Sequence, residues 1–280
     1  MAASFPQTLI PLVCSITFLL ALATTPGDAT SLTGHTSSFN QKSPPWNSVI
    51  LEGDAHYQTD SNGDDYISLT KTDESGKALQ YSAGRVYNAK PLQFWGEGMQ
   101  IDFEATMKFI IFPNSDDTDP ADGFCFFIEP LEAPMGANGS SFGVFDSSGK
   151  KASTFAIEFD PYINTNDPNY RHVGIDIEST DSVVTMKLGD DADELIGILV
   201  TAQISYKAAT TMINVKVTIG RSKNYEMSYL KDLSTVLPQV VKCGFSAATG
   251  GQVAVHDLIS WEFTTTPNTV KGSRGIRQVV

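Results

Sequence analysis

Ile101-Asp102-Phe103-Glu104-Ala105-Thr106-Met107-Lys108-Phe109 decides the fold class. Apolar and polar residues alternate through it without a break, the period of a strand with one face in a core and the other toward water. Ile213-Asn214-Val215-Lys216-Val217-Thr218-Ile219 repeats the pattern. Turn formers separate such runs, as in Ser61-Asn62-Gly63-Asp64, Pro113-Asn114, Asn166-Asp167-Pro168 and Gly250-Gly251. No sustained helical period occurs, and the best helical candidate, Leu230 to Leu237, is a turn or two stopped by Pro238. Many strands with regular turns and little helix predict an all-β sandwich.

A chain of 280 residues is long enough for one large β domain. Leu9 to Ala23 is mostly apolar and uncharged and ends in small residues, so residues 1–29 read as a signal peptide cleaved after Ala23 or Ala29. The segment before it lacks the usual Lys or Arg. A membrane anchor is the rival reading, but the apolar run is short for a span and Pro11 interrupts it. Residues 30–266 then form the domain and 267–280 a flexible tail, with no membrane span in the mature chain. A formal charge of −13 argues against a nucleic-acid partner, whose phosphates need a basic surface. Cys125 and Cys243 remain after cleavage. Both lie in apolar strand-like runs, where free Cys acts as a small hydrophobe, and whether they pair is left open.

The chemistry concentrates in Glu158-Phe159-Asp160-Pro161-Tyr162-Ile163-Asn164, then Asp167 and Arg171-His172-Val173-Gly174-Ile175-Asp176. Glu158 and Asp160 are two apart, so on a strand both leave the same face, and two adjacent anions call for a cation. Asn164, Asp167 and a carbonyl near Tyr162 offer oxygens suited to Ca²⁺. Carboxylates with the His172 nitrogen suit a transition ion such as Mn²⁺. The plainer alternative is that Glu158 and Asp160 face solvent and Asp167 merely forms a turn before Pro168.

These residues resemble the metal-binding signature of the legume-type lectins. The similarity extends to Ala121-Asp122-Gly123-Phe124, to Gly143-Val144-Phe145, and to Gly244 through Gly250 with Ser260-Trp261-Glu262-Phe263. It implies a jelly-roll sandwich of two large antiparallel sheets and a metal-dependent, non-catalytic carbohydrate binder. Asp160 and Asp167 would bridge two ions, Glu158 and His172 would complete the transition-metal site, and Asn164 with the Tyr162 carbonyl the calcium site. Ser179 would hold a metal-bound water. Asp122, after a cis peptide, would accept two sugar hydroxyls, Asn164 and the backbone N–H of Ser140 would donate, and Gly139 would line the site. Tyr162 would offer its ring, and Gly251 and Gln252 would tune the monosaccharide preference. Asn138 begins an N-glycosylation sequon at the pocket rim. The resemblance also implies glycan partners, a homodimer, and an extracellular or vacuolar destination.

Two other functions stay open at this level. Paired carboxylates, Glu158-x-Asp160 and Asp176-x-Glu178, would suit a jelly-roll glycoside hydrolase, although coordination would keep them ionised and remove the raised-pKa acid. A storage or structural relative that has lost sugar binding is the other.

Overall fold

A computed structural model describes residues 31–34, 49–114, 119–189 and 194–269. The expected signal peptide and residues 270–280 lie outside them. One sheet holds β1 (Ser31–Gly34), β3 (His56–Thr59), β4 (Asp65–Ser68), β7 (Trp95–Gly96), β8 (Met99–Pro113), β13 (Val200–Lys207), β14 (Met212–Ile219), β15 (Lys223–Leu230) and β17 (Ala254–Thr269). The other holds β2 (Val49–Gly53), β5 (Ala83–Asn88), β6 (Leu92–Gln93), β9 (Gly123–Pro130), β10 (Lys150–Asp160), β11 (His172–Ser179), β12 (Val184–Lys187) and β16 (Val240–Ala248). Their main paths run β15-β14-β13-β8-β17-β4-β3 and β12-β11-β10-β9-β16-β5-β2, with antiparallel neighbours throughout. Neighbours distant in sequence within each sheet make this the jelly-roll sandwich that the alternation and the resemblance predicted.

The core lies between the sheets. From β8 come Ile101, Phe103, Ala105, Met107 and Phe109, and facing them are Phe124, Phe126, Phe159 and Phe245, all buried. Phe109 stacks on Phe124 with ring centres 4.3 Å apart. β9 is buried on both faces. Phe124, Phe126 and Ile128 enter the main core, while Cys125 and Phe127 meet Phe142, Val144 and Phe145 of the next loop in a second, smaller core. That second core fixes the loop carrying Gly139 and Ser140 against the outer face of the sheet. It also separates the cysteines. Cys125 belongs to the small core and Cys243 to the large one, on opposite faces, and both are free thiols.

Two expectations need correction. The helical candidate over 230–237 reduces to one 3-10 turn, Leu233–Thr235, because Leu230 still pairs with Met212 at the end of β15. The strand containing Phe263 continues to Thr269, pairing Pro267 with Ile101 and Asn268 with Gln100. The first residues assigned to the tail therefore extend the sheet. Among the described residues no helix is long and apolar enough to cross a membrane.

Candidate functional site

β10 and β11 pair so that Asp160 stands opposite His172 and Glu158 opposite Gly174. Phe155, Ile157, Phe159, Val173 and Ile175 take the core face, which leaves Glu158, Asp160, His172, Gly174 and Asp176 on the other. The four functional side chains are nonetheless buried, Glu158 and Asp160 at 2% exposure, His172 at 1% and Asp176 at 0%, so the solvent-facing alternative fails. His172 Nε2 lies 2.9 Å from Glu158 Oε1. Ser182 Oγ is 2.7 Å from that same oxygen and 2.6 Å from Asp176 Oδ1. A hydroxyl has one proton and cannot donate to both carboxylates at once.

The cluster is short of positive charge. Burial, then the charge of Glu158, pushes the carboxyls of Asp160 and Asp176 well above the usual range, and Asp167 adds to the effect on Asp160. His172 Nδ1 and Asp176 Oδ2 are buried without a hydrogen-bond partner. Ligand atoms of Glu158, Asp160 and His172 lie within 4.8 Å of one another. Buried carboxylates beside an imidazole, with polar atoms unsatisfied, are the donor set that a divalent transition ion takes. The residues fit such an ion.

The loop after β10 adds oxygen atoms. Asp160 Oδ1 accepts from the Tyr162 N–H at 2.8 Å, and Asp167 Oδ2 accepts from the Asn164 N–H at 2.6 Å. Tyr170 sets its ring edge-on to His172, centres 6.3 Å apart.

Asp122 completes the arrangement. The Ala121-Asp122 peptide is cis, and the Asp122 N–H donates to the Ala248 carbonyl at 2.9 Å at the head of β9. Its carboxyl is pushed up to about 7, first by burial, with the charge of Asp167 adding and the Gly250 N–H opposing. Its Oδ2 is buried and has no partner. Gly250 lies against this carboxylate, and a Cβ there would come 3.0 Å from Asp122 Oδ2. Gly139 is the other close neighbour, while Ser140, Gly251 and Gln252 are exposed beside them. Asn138 is exposed and donates its Nδ2 to the Tyr81 carbonyl at 3.1 Å.

Sequence reasoning misplaced two residues, Ser179 and Glu178, and missed others. Ser179 does not join the cluster. Its hydroxyl pairs with Lys150 and Asp181, and the turn after β11 brings Ser182 back to Glu158 instead. Asp176 and Glu178 do not share a face, because Glu178 adopts a left-handed backbone with φ 59° and accepts from the Ser153 N–H at 2.7 Å. Asp176 was legible as a cluster member from the spacing His172-x-Gly174-x-Asp176 on one strand face. Gly174 was legible only in part, since its role depends on the Ser182 turn.

The legume lectin domain family matches residues 35–276. Agglutinin-2 of Cladrastis kentukea is 35% identical over 268 residues, covering 91% of this chain and 88% of its own. A mannose/glucose-specific lectin of Centrolobium tomentosum is 32% identical over 228 residues, covering 78% and 90%. Among solved structures, basic winged bean lectin with Tn-antigen superposes with a TM-score of 0.75 at 31% identity, covering 86% of this chain and 99% of the other. A two-sheet jelly roll with an acid-imidazole cluster beside a buried aspartate defines a lectin-type protein. The chain belongs to the legume lectin family. Its relatives are named lectins, which are non-catalytic carbohydrate-binding proteins, and the glycoside hydrolase reading is set aside.

Proposed function

We propose that this chain is a metal-dependent lectin that binds single sugar units of glycans through Asp122. Glu158, Asp160, Asp167 and His172, with Asn164 and the Tyr162 carbonyl, would hold a calcium ion and a transition ion such as manganese. Bound cations would supply the positive charge that the buried carboxylates lack and would stiffen the loop from Pro161 to Arg171. Asp122 accepts hydrogen bonds from two neighbouring sugar hydroxyls. The Asn164 amide and the backbone N–H of Ser140 donate, Tyr162 lies under the apolar side of the ring, and Gly139, Gly251 and Gln252 bound the pocket. Residues 1–29 route the chain to the secretory pathway, toward an extracellular or vacuolar destination, and the lectin assembles as a homodimer. Asn138 accepts an N-glycan at the rim.

One observation carries this reading. The carboxylate of Asp122 is buried among backbone atoms with an oxygen left unpartnered, and an unsatisfied buried acceptor is costly unless a ligand satisfies it. The storage reading supplies no use for it. Relatives differ in the sugars that their names carry, mannose/glucose in one and Tn-antigen in another, so the preference is not transferred.

The test is Asp122→Ala in calorimetry against a monosaccharide panel. Each hydrogen bond to a charged acceptor contributes roughly 1.5–3 kcal/mol, while millimolar binding amounts to only about −4 kcal/mol. Binding should become undetectable with the melting temperature little changed. Full affinity in the variant would remove the pocket from this place.

A further inference from the structure

We propose that Tyr81 is the platform of a second sugar subsite, so that the protein reads two linked sugar rings rather than one. This rests on the reading that the Asp122 pocket holds the first ring. Tyr81 is 63% exposed, and among the described residues its ring and hydroxyl have no hydrogen-bond or aromatic partner. A lone exposed aromatic is common and needs no explanation by itself. Two further features set this one apart.

First, its backbone sits at φ 54°, in the left-handed region that a bulky side chain adopts only at an energetic cost. Such strain persists where the surroundings impose it, and it gathers at ligand sites. Second, the surroundings that impose it are the pocket walls. The Tyr81 N–H donates to the Gly250 carbonyl at 3.2 Å, and its own carbonyl accepts from Asn138 Nδ2 at 3.1 Å. Gln80 Nε2 donates to the Gly251 carbonyl at 2.6 Å. Gly250 and Gly139, the neighbour of Asn138, are the residues that flank the Asp122 carboxylate. Tyr81 is therefore clamped between the two loops that form the pocket's edge, bonded directly to Gly250 and, through Asn138, one residue from Gly139.

The chemistry that fits is a hexopyranose glycosidically linked to the ring in the pocket. Its apolar C–H face lies on the tyrosine ring, and the phenol hydroxyl remains free to bond a hydroxyl or the linking oxygen. Tyrosine suits this because it offers a large, rigid contact at low entropic cost.

The experiment compares wild type, Tyr81→Gly and Tyr81→Phe by calorimetry with ions supplied. The probes are the tightest-binding monosaccharide of a panel and the disaccharides that end in it. Glycine accommodates φ 54° better than tyrosine does, so Tyr81→Gly removes the ring without disturbing the clamp. The expected result is an unchanged monosaccharide affinity, with the disaccharide advantage over the monosaccharide falling roughly fivefold or more in Tyr81→Gly. Most of that advantage should remain in Tyr81→Phe. An equal disaccharide advantage in wild type and Tyr81→Gly overturns the subsite. So does an equal loss for both probes, which would make Tyr81 a loop brace, and so does a wild type that gains nothing from the second ring. A wild type that binds no sugar at all defeats the pocket reading and this one with it.

Discussion

Gly174 lacks a side chain because the cluster leaves no room for one. A Cβ there would lie 1.9 Å from Ser182 Oγ and 2.4 Å from Glu158 Oε1. Gly174→Ala should therefore push Ser182 and Glu158 apart, lowering both the melting temperature and the metal content measured by elemental analysis. Unchanged values for both would mean that the cluster yields easily and is not a built site. Ser182→Ala is the complementary test. It removes the only hydroxyl bridging Glu158 and Asp176 among the described residues, and leaving a buried acceptor unpaired costs about 1–3 kcal/mol. Thermal denaturation should show a drop of roughly 2–12 °C, at about 2–4 °C per kcal/mol for a domain of this size.

At the scale of elements, β9 links the core to the pocket. Its Glu129, fully buried, pairs with Arg85 and Lys151 at 2.7 Å and with Lys242 at 3.4 Å. The same cations donate to the carbonyls of Ala133, Pro134 and Val144, in the loop that carries Gly139 and Ser140. Glu129→Ala would leave these cations without their buried anion, a loss of about 3–5 kcal/mol. The expected fall in melting temperature is roughly 10 °C, with metal content retained. A change of only a degree or two would show that the loop is held by its apolar contacts alone. This network also shows where sequence reading stops. Alternation in Ile101 to Phe109 exposed the strand and its inner face directly, and the Glu158-x-Asp160 spacing exposed the shared face of the acids. Ser182 was not legible, because its position depends on a turn that folds back over β11. The clamp at Tyr81 was not legible either, since Gln80 and Gly251 meet across 171 residues of chain. Glu178 left its expected face through a single left-handed residue that no periodicity marks.

For the whole molecule, pH acts through groups remote from the pocket as well as those in it. His256 is buried in β17 with its Nδ1 3.1 Å from Thr70 Oγ1, and burial lowers its pKa to about 3. The unfolded chain takes up a proton near pH 6.5 that folded His256 refuses, so its contribution to stability is present above that value and is lost as pH falls toward 3. At pH 5 the loss is about 2 kcal/mol. His256→Gln, compared with wild type in chelated protein, should flatten the acid side of the melting-temperature curve by that amount, and parallel curves would contradict the assignment. On the proposed reading, Asp122 and the acids near it differ in kind, because they would depend on cations that the fold itself does not supply. The most direct measurement is calorimetry of sugar binding by the full protein before chelation, after chelation with zero metal verified by elemental analysis, and after calcium and manganese are restored. Binding heat should vanish on chelation and return on reloading. The same sugar affinity in verified metal-free protein would contradict the link between the buried acid cluster and the Asp122 pocket.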